Sequence, residues 1–270
     1  MNLVRPIRRI DTAKGHYYID GAKTRVTGVT TVLDGGLPKK ALINWAGTAT
    51  AEAAVDRWDE LAELGPAKRL KELQGARYAE KDKAAKRGTE VHAYAERLIN
   101  GESLEVPEEL AGHVESYARF LDAFKVEPVA VEFGVASYKH AYAGTTDLIA
   151  DIVVPRHGRK RLLLDIKTSR SGIFGEIALQ LAAYRYAEVI IGKGEEHERP
   201  MIEVEACAGI HVRGDGADLV PVTADEAVFR SFLYVKQVYE FDQVSRDLVG
   251  APVPPAIEST YRLVRDEASA

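Results

Sequence analysis

The chain has 270 residues, 46% of them hydrophobic, and a net charge of -5 from 41 acids and 36 bases, enough for a sizeable folded core and no bulk attraction for nucleic acid. The single cysteine, Cys207, excludes an internal disulfide and any zinc or iron-sulfur cluster held by cysteines, which fits a reducing cytoplasm. Charged residues scattered through the N-terminus, and the lack of any run of about eighteen apolar residues, argue against a signal peptide and a membrane span.

Residues 16–26, HYYIDGAKTRV, place two β-prone runs around Asp20-Gly21 and predict a hairpin. From Pro38 the sequence turns to helix formers until Gly65-Pro66, and a second helical stretch runs from Ala67 to about Asn100. Leu110, Val114, Tyr117, Leu121 and Phe124 recur at threes and fours, predicting a helix over 107–125. The period then changes. Val129, Val131, Phe133 and Val135 alternate as in a strand; 145–154 and 161–168 read as two further strands joined by a loop over 155–160. Residues 175–192 read as helix ended by Gly192, 202–212 and 218–223 as two strands, and a last helix starts at Thr223 with Glu226 completing a capping box. The Pro-rich and then polar stretch 251–270 predicts a loosely held tail.

The chemistry centres on LLLDIKT. In a strand Asp165 and Lys167 share one face while Leu164 and Ile166 share the other. A hairpin closed by the 155–160 loop sets Asp147 opposite about Thr168, so two acids and a base meet at one end. Such a group is costly to bury, and a hard divalent cation would relieve the repulsion; carboxylates suit Mg²⁺ or Mn²⁺. An isolated Asp-x-Lys is most often an exposed ion pair, but the apolar lead-in and the following helix weigh against that here. On that helix Gln180 and Tyr184 are four residues apart and share a face. Upstream, His92 lies on a helix whose apolar side carries Val91, Ala95 and Leu98; it is either a structural hydrogen-bonder or a nitrogen ligand for the same cation.

Taken in order, GTEVH (88–92), GTTD (144–147), DIK (165–167) and QLAAY (180–184) resemble the PD-(D/E)xK nuclease superfamily, in its RecB-like and phage-type exonuclease branch. The likeness covers the central third of the chain. It implies an α/β, restriction-endonuclease-like core, with a mixed central β-sheet flanked by helices, within a single domain. That domain divides into an N-terminal hairpin and helical region (1–86), the core (87–250) and the tail (251–270). The resemblance also implies that His92, Asp147, Asp165 and the Ile166 carbonyl bind Mg²⁺ or Mn²⁺, that Lys167 is the catalytic lysine acting with Asp165 and Asp147, and that Gln180 and Tyr184 contact DNA or brace the site. Glu132, on the preceding strand, is a further candidate.

The first acid lacks the proline of the superfamily's name, and one cysteine rules out the iron-sulfur cluster of some relatives. The function implied is a metal-dependent deoxyribonuclease, an exonuclease or end-processing enzyme of recombination, repair or phage replication in a bacterial or phage-infected cytoplasm. DNA is its partner, with a helicase or recombination protein as a candidate companion and no membrane. Two alternatives stand beside it: a DNA-binding or assembly module that keeps the fold without cleaving, and a metal-dependent hydrolase of RNA or another phosphoester. Local positive charge for a polyanion is available at Lys39 and Lys40, in 81–87, and at Arg156, Arg159, Lys160 and Arg161.

Overall fold

Leu162, Leu163 and Leu164 are buried alternately on the two faces of one curled sheet, and the rest of the fold is built around that strand. The computed structural model describes residues 3–12, 15–169, 171–195 and 197–254, so the tail beyond 254 lies outside the described residues. In chain order the elements are β1 (Arg8–Thr12), β2 (Gly15–Ile19), β3 (Arg25–Gly28), α1 (Val29–Gly36), α2 (Lys40–Asp56), α3 (Trp58–Ala62), α4 (Pro66–Ile99), α5 (Glu108–Ala123), β4 (Glu127–Ser137), β5 (Tyr142–Val154), β6 (Gly158–Lys167), α6 (Glu176–Arg185), β7 (Val189–Ile191), β8 (Arg199–Pro200), β9 (Ala206–Arg213), β10 (Gly216–Val222) and α7 (Glu226–Val244). The fold is α/β, with a mixed sheet flanked by helices: β3 runs parallel to β5 and β6 parallel to β9, while the other pairs are antiparallel. Among the described residues no helix is long and apolar enough to cross a membrane.

Two cores sit on opposite faces. Val32 and Leu33 of α1, Leu181 and Tyr184 of α6 and Phe232 of α7 pack against Phe133, Tyr142, Ile149 and Leu163. Val91 of α4 and Tyr117 and Phe120 of α5 pack against Leu148, Ile152, Leu164, Ile166 and Ile210. Strand alternation therefore sends Leu163 to one layer and Leu162, Leu164 and Ile166 to the other.

β5 is long, and it changes partner along one edge. Its start pairs with β3, where Gly28 lies opposite Ala143; its end pairs with β6, from Leu148 opposite Leu164. Between those ladders β5 and β6 diverge, and the gap holds the site.

Several expectations need correction. The β5–β6 ladder ends at Leu148 and Leu164, so Asp147 lies level with Asp165 and not with Thr168. The connection is tighter than the 155–160 loop, because β6 already begins at Gly158; likewise β5 begins at Tyr142, ahead of the expected start at 145. The helix over 175–192 stops at Arg185, and Val189–Ile191 pairs antiparallel with Gly134–Ala136 of β4, where a β-branched run gains a ladder on an open edge. An additional helix, α1, precedes Pro38, formed because Val29, Val32 and Leu33 bury at helical spacing. The final helix is capped by Asp225, whose carboxylate accepts from the Val228 amide; Glu226 pairs with Arg230 instead of closing a box from Thr223. β9 starts at Ala206, later than 202. The N-terminal hairpin forms as β2 and β3, with β1 added alongside β2.

Alternation in β4 also fails at one residue. Glu132 has φ +46, in the left-handed region that a side chain with a Cβ rarely adopts. Phe133 packs with the α6 layer, whereas Val131 packs with the α4 layer, so the two do not share a face as strict alternation requires.

Candidate metal centre

Each side chain reaches the gap from a different element. Asp147 leaves β5 just where that strand gives up β3 and has not yet met β6. Val131 pairs with Leu148 and Phe133 with Thr146, which leaves Glu132 facing Asp147 from β4. His92 comes from α4, one residue after buried Val91. Asp165 and Lys167 come from the last turn of the pleat of β6, on the α6 side.

Asp147 is the junction. Its Oδ1 lies 3.3 Å from His92 Nδ1, and its Oδ2 accepts the Ile166 amide at 2.6 Å, a donor the diverging ladder leaves free. One ligand atom from each of His92, Glu132 and Asp147 lies within 4.8 Å of the others. A cavity of about 10 Å³ lies among His92, Glu132, Asp147 and Ile166, close to the size of one small cation or water. The two carboxylates are oxygen donors of the kind Mg²⁺ and Mn²⁺ take, and the imidazole adds a nitrogen.

Asp165 faces the other way. It is 3% exposed, and its Oδ1 accepts from Gln180 Nε2 at 2.8 Å. Lys167 Nζ lies 2.6 Å from Asp165 Oδ2, near enough for charge pairing but outside hydrogen-bond geometry, so Oδ2 is left without a hydrogen bond among the described residues. Lys167 Nζ donates to Gln180 Oε1 at 3.2 Å, and Gln180 Nε2 also lies 3.2 Å from the Tyr184 hydroxyl. One amide thus fixes both members of the Asp-x-Lys pair, and Tyr184 fixes the amide. The Lys167 ammonium is what offsets the charge of this buried oxygen.

The charges are mutually tuned. Burial pulls the His92 imidazole down, but the Asp147 carboxylate more than reverses it and raises the group to about 9. Burial pushes Glu132 up to about 7, with Asp147 adding repulsion. Burial and then Asp147 push Asp165 up to about 6, against the pull of Lys167. For Asp147, burial works to raise the carboxyl, yet His92 and the Ile166 amide hold it below its ordinary value. Without a cation the cluster therefore holds extra protons, which a metal would have to displace.

The structure brings together His92, Asp147, Asp165, Ile166, Lys167, Gln180 and Tyr184. It sets Glu132 beside His92 and Asp147, at a backbone torsion that no residue pattern records. Glu96, one turn after His92, lines the same cavity and pairs with Lys193 at 2.5 Å. The basic β5–β6 loop is less available than its sequence suggests, since Arg161 chelates Asp151, Lys160 pairs with Glu205 and Arg159 with Glu127. The side chains of Lys40, Lys81 and Lys83 lie outside the described ones.

Set beside known proteins, the chain matches no family model and no curated protein.

Proposed function

We propose that the chain is a metal-dependent nuclease with a restriction-endonuclease-like core, hydrolysing DNA phosphodiester bonds at or near ends. The observation that carries this reading is the meeting of Asp147, Asp165 and Lys167 where two neighbouring strands part, with His92 and Glu132 beside Asp147. His92, Glu132 and Asp147 would hold Mg²⁺ or Mn²⁺, with Asp165 and the Ile166 carbonyl adjacent.

When bound, the cation would supply Lewis acidity to the phosphodiester oxygens and acidify water. Lys167 is held at one point by Asp165 and Gln180, from which its ammonium can donate to a phosphate oxygen or orient an attacking water. Gln180 keeps the Asp165 carboxylate turned toward Lys167, and Tyr184 holds Gln180 in the rotamer that does so.

The test is a panel of linear duplex, closed circular duplex, single-stranded DNA and RNA, each with Mg²⁺, Mn²⁺ or EDTA. Metal-dependent loss of linear DNA, abolished in Lys167→Ala, is the expected result. Absence of cleavage with every substrate and both metals would overturn the reading, and cleavage of RNA alone would redirect it to another phosphoester.

A further inference from the structure

The first part of α4 and the helices before it form an arm that the core does not need. From Pro66 to Arg87 no described residue of α4 is buried, and at about 1.5 Å per residue this stretch extends roughly 30 Å before Val91 enters the core. α2 packs along α4, so the pair is a helical hairpin. Both roots flank the metal centre. Lys39, just before α2, pairs at 2.5 Å with Glu176, one turn ahead of Gln180 on α6. Gly88 of α4 lies against Thr168, where an added Cβ would stand 3.3 Å from Oγ1, one residue beyond Lys167.

The basic charge of the arm lies on its α4 half. Residues 66–87 carry eight Lys or Arg against three Asp or Glu, whereas residues 40–65 carry two against five. Arg87, one turn before Val91, has a buried Nε with no hydrogen-bond partner and makes no ion pair among the described residues. Two large rings are exposed near the same roots: Phe174 is 55% exposed at the entrance to α6 and Trp45 37% on the first turns of α2. Ile173, beside Phe174, is packed into the core, so the loop is anchored while its neighbouring ring is left in solvent.

Rings with accessible faces combined with an uncompensated guanidinium fit one kind of polymer, a single strand of nucleic acid, whose unpaired bases stack and whose phosphates need cations. We propose that the arm guides a single nucleic-acid strand to the metal centre, with Arg87 binding a phosphate next to the site and Phe174 and Trp45 stacking bases at the arm's roots. This rests on the nuclease reading for its purpose but not for its test. A duplex hides the ring faces of its bases, so the guide selects an unpaired strand or a frayed end.

Both tryptophans of the chain, Trp45 and Trp58, lie on the arm, so Trp58→Phe leaves Trp45 as the sole reporter. In that variant, titration with a short oligothymidylate in EDTA should quench Trp45 emission saturably, and a blunt duplex of equal length should bind more weakly. Phe174→Ala should weaken oligothymidylate binding about tenfold. Arg87→Ala should also weaken it and reduce the slope of log K against log salt by about 0.7, the value of one phosphate contact on a single strand. Phe174 is exposed, so its replacement reads binding even where a change at Trp45 disturbs α2.

Strand binding with unchanged Trp45 emission, or an unchanged salt slope in Arg87→Ala, would overturn the guide. So would a shift in oligomeric state on replacing Trp45 or Trp58 while strand affinity stays the same, since the arm would then serve self-association. Because EDTA removes catalysis, a protein that passes here yet never cleaves DNA loses the nuclease reading and keeps the guide. One that cleaves with unaltered KM in Phe174→Ala and Arg87→Ala loses the guide and keeps the nuclease.

Discussion

The ring of Tyr184 lies directly on Gly144, so closely that a Cβ on residue 144 would fall inside the van der Waals reach of Cε1 and 3.1 Å from Cδ1. This contact joins two of the four short motifs, GTTD on β5 and QLAAY on α6. The glycine is there because the tyrosine needs its space, and the tyrosine in turn holds Gln180 against Asp165.

Gly144→Ala should therefore act like an overpacked core substitution, lowering stability by about 1–3 kcal/mol. Tyr184 is fully buried and cannot swing into solvent, so the strain should pass to Gln180 and reduce cleavage as well. Urea unfolding monitored by circular dichroism checks the first effect and a cleavage assay the second; wild-type values in both would contradict this packing.

Lys167→Ala and Asp165→Asn should each lower the cleavage rate by about 10²- to 10⁴-fold, the usual range for losing a positioned proton-transfer or charge-stabilising group. The folded state should survive both. Asp165→Asn retains an acceptor for Gln180 and removes a buried charge, so its metal-free melting temperature should equal or exceed that of the unchanged protein. Single-turnover cleavage beside differential scanning fluorimetry reads the two quantities independently.

The metal-free protein should lose stability as pH rises from about 4 to about 9. Asp165 moves from 3.8 to about 6, Glu132 from 4.5 to about 7 and His92 from 6.5 to about 9, all upward. A group raised on folding contributes stability fully below its unfolded value and loses it as pH passes the folded value, so the three losses follow one another across that window. Asp147 is lowered, and its contribution appears instead above its ordinary value and is lost toward strong acid. Melting temperatures in EDTA should fall through the window, and the gain on adding Mn²⁺ should grow with pH as fewer protons remain to be displaced. A gain that is flat from pH 6 to pH 9 would exclude His92 and Glu132 as ligands.

Glu132 carries the strained torsion, and strain of this kind costs roughly 1–3 kcal/mol. Glu132→Gly should relieve both the torsion and the burial of the carboxyl, raising the metal-free stability by about 1 kcal/mol while weakening Mn²⁺ binding. Glu132→Gln keeps the strain, so it should weaken Mn²⁺ binding without the gain of Glu132→Gly. Calorimetric titration with Mn²⁺ and thermal melts of the two variants separate ligand loss from backbone relief.

The residues that make strands and helices announce themselves locally. Leu162–Leu164 leading into Asp165 gave a buried strand with a charged end, and Gln180 and Tyr184 at a separation of four gave one helix face, because both follow from the period of the backbone. Those regularities also placed Asp165 and Lys167 on one face, which the tertiary structure turns toward α6. What they could not give is the level at which one strand meets another, since a ladder is set by packing on both faces; hence Asp147 proved level with Asp165 and not with Thr168.

Nor could local pattern report the gap where β5 exchanges β3 for β6, which lets His92 from one layer reach Asp147 and Gln180 from the other reach Asp165. Val189–Ile191 became a strand only because β4 offered an edge. Glu132 became a ligand candidate only through a φ of +46. The chain's own order of residues determined which side chains carry chemistry and on which kind of element; long-range pairing decided which of them touch, because contact between distant segments depends on how the whole sheet curls and not on any neighbour in sequence.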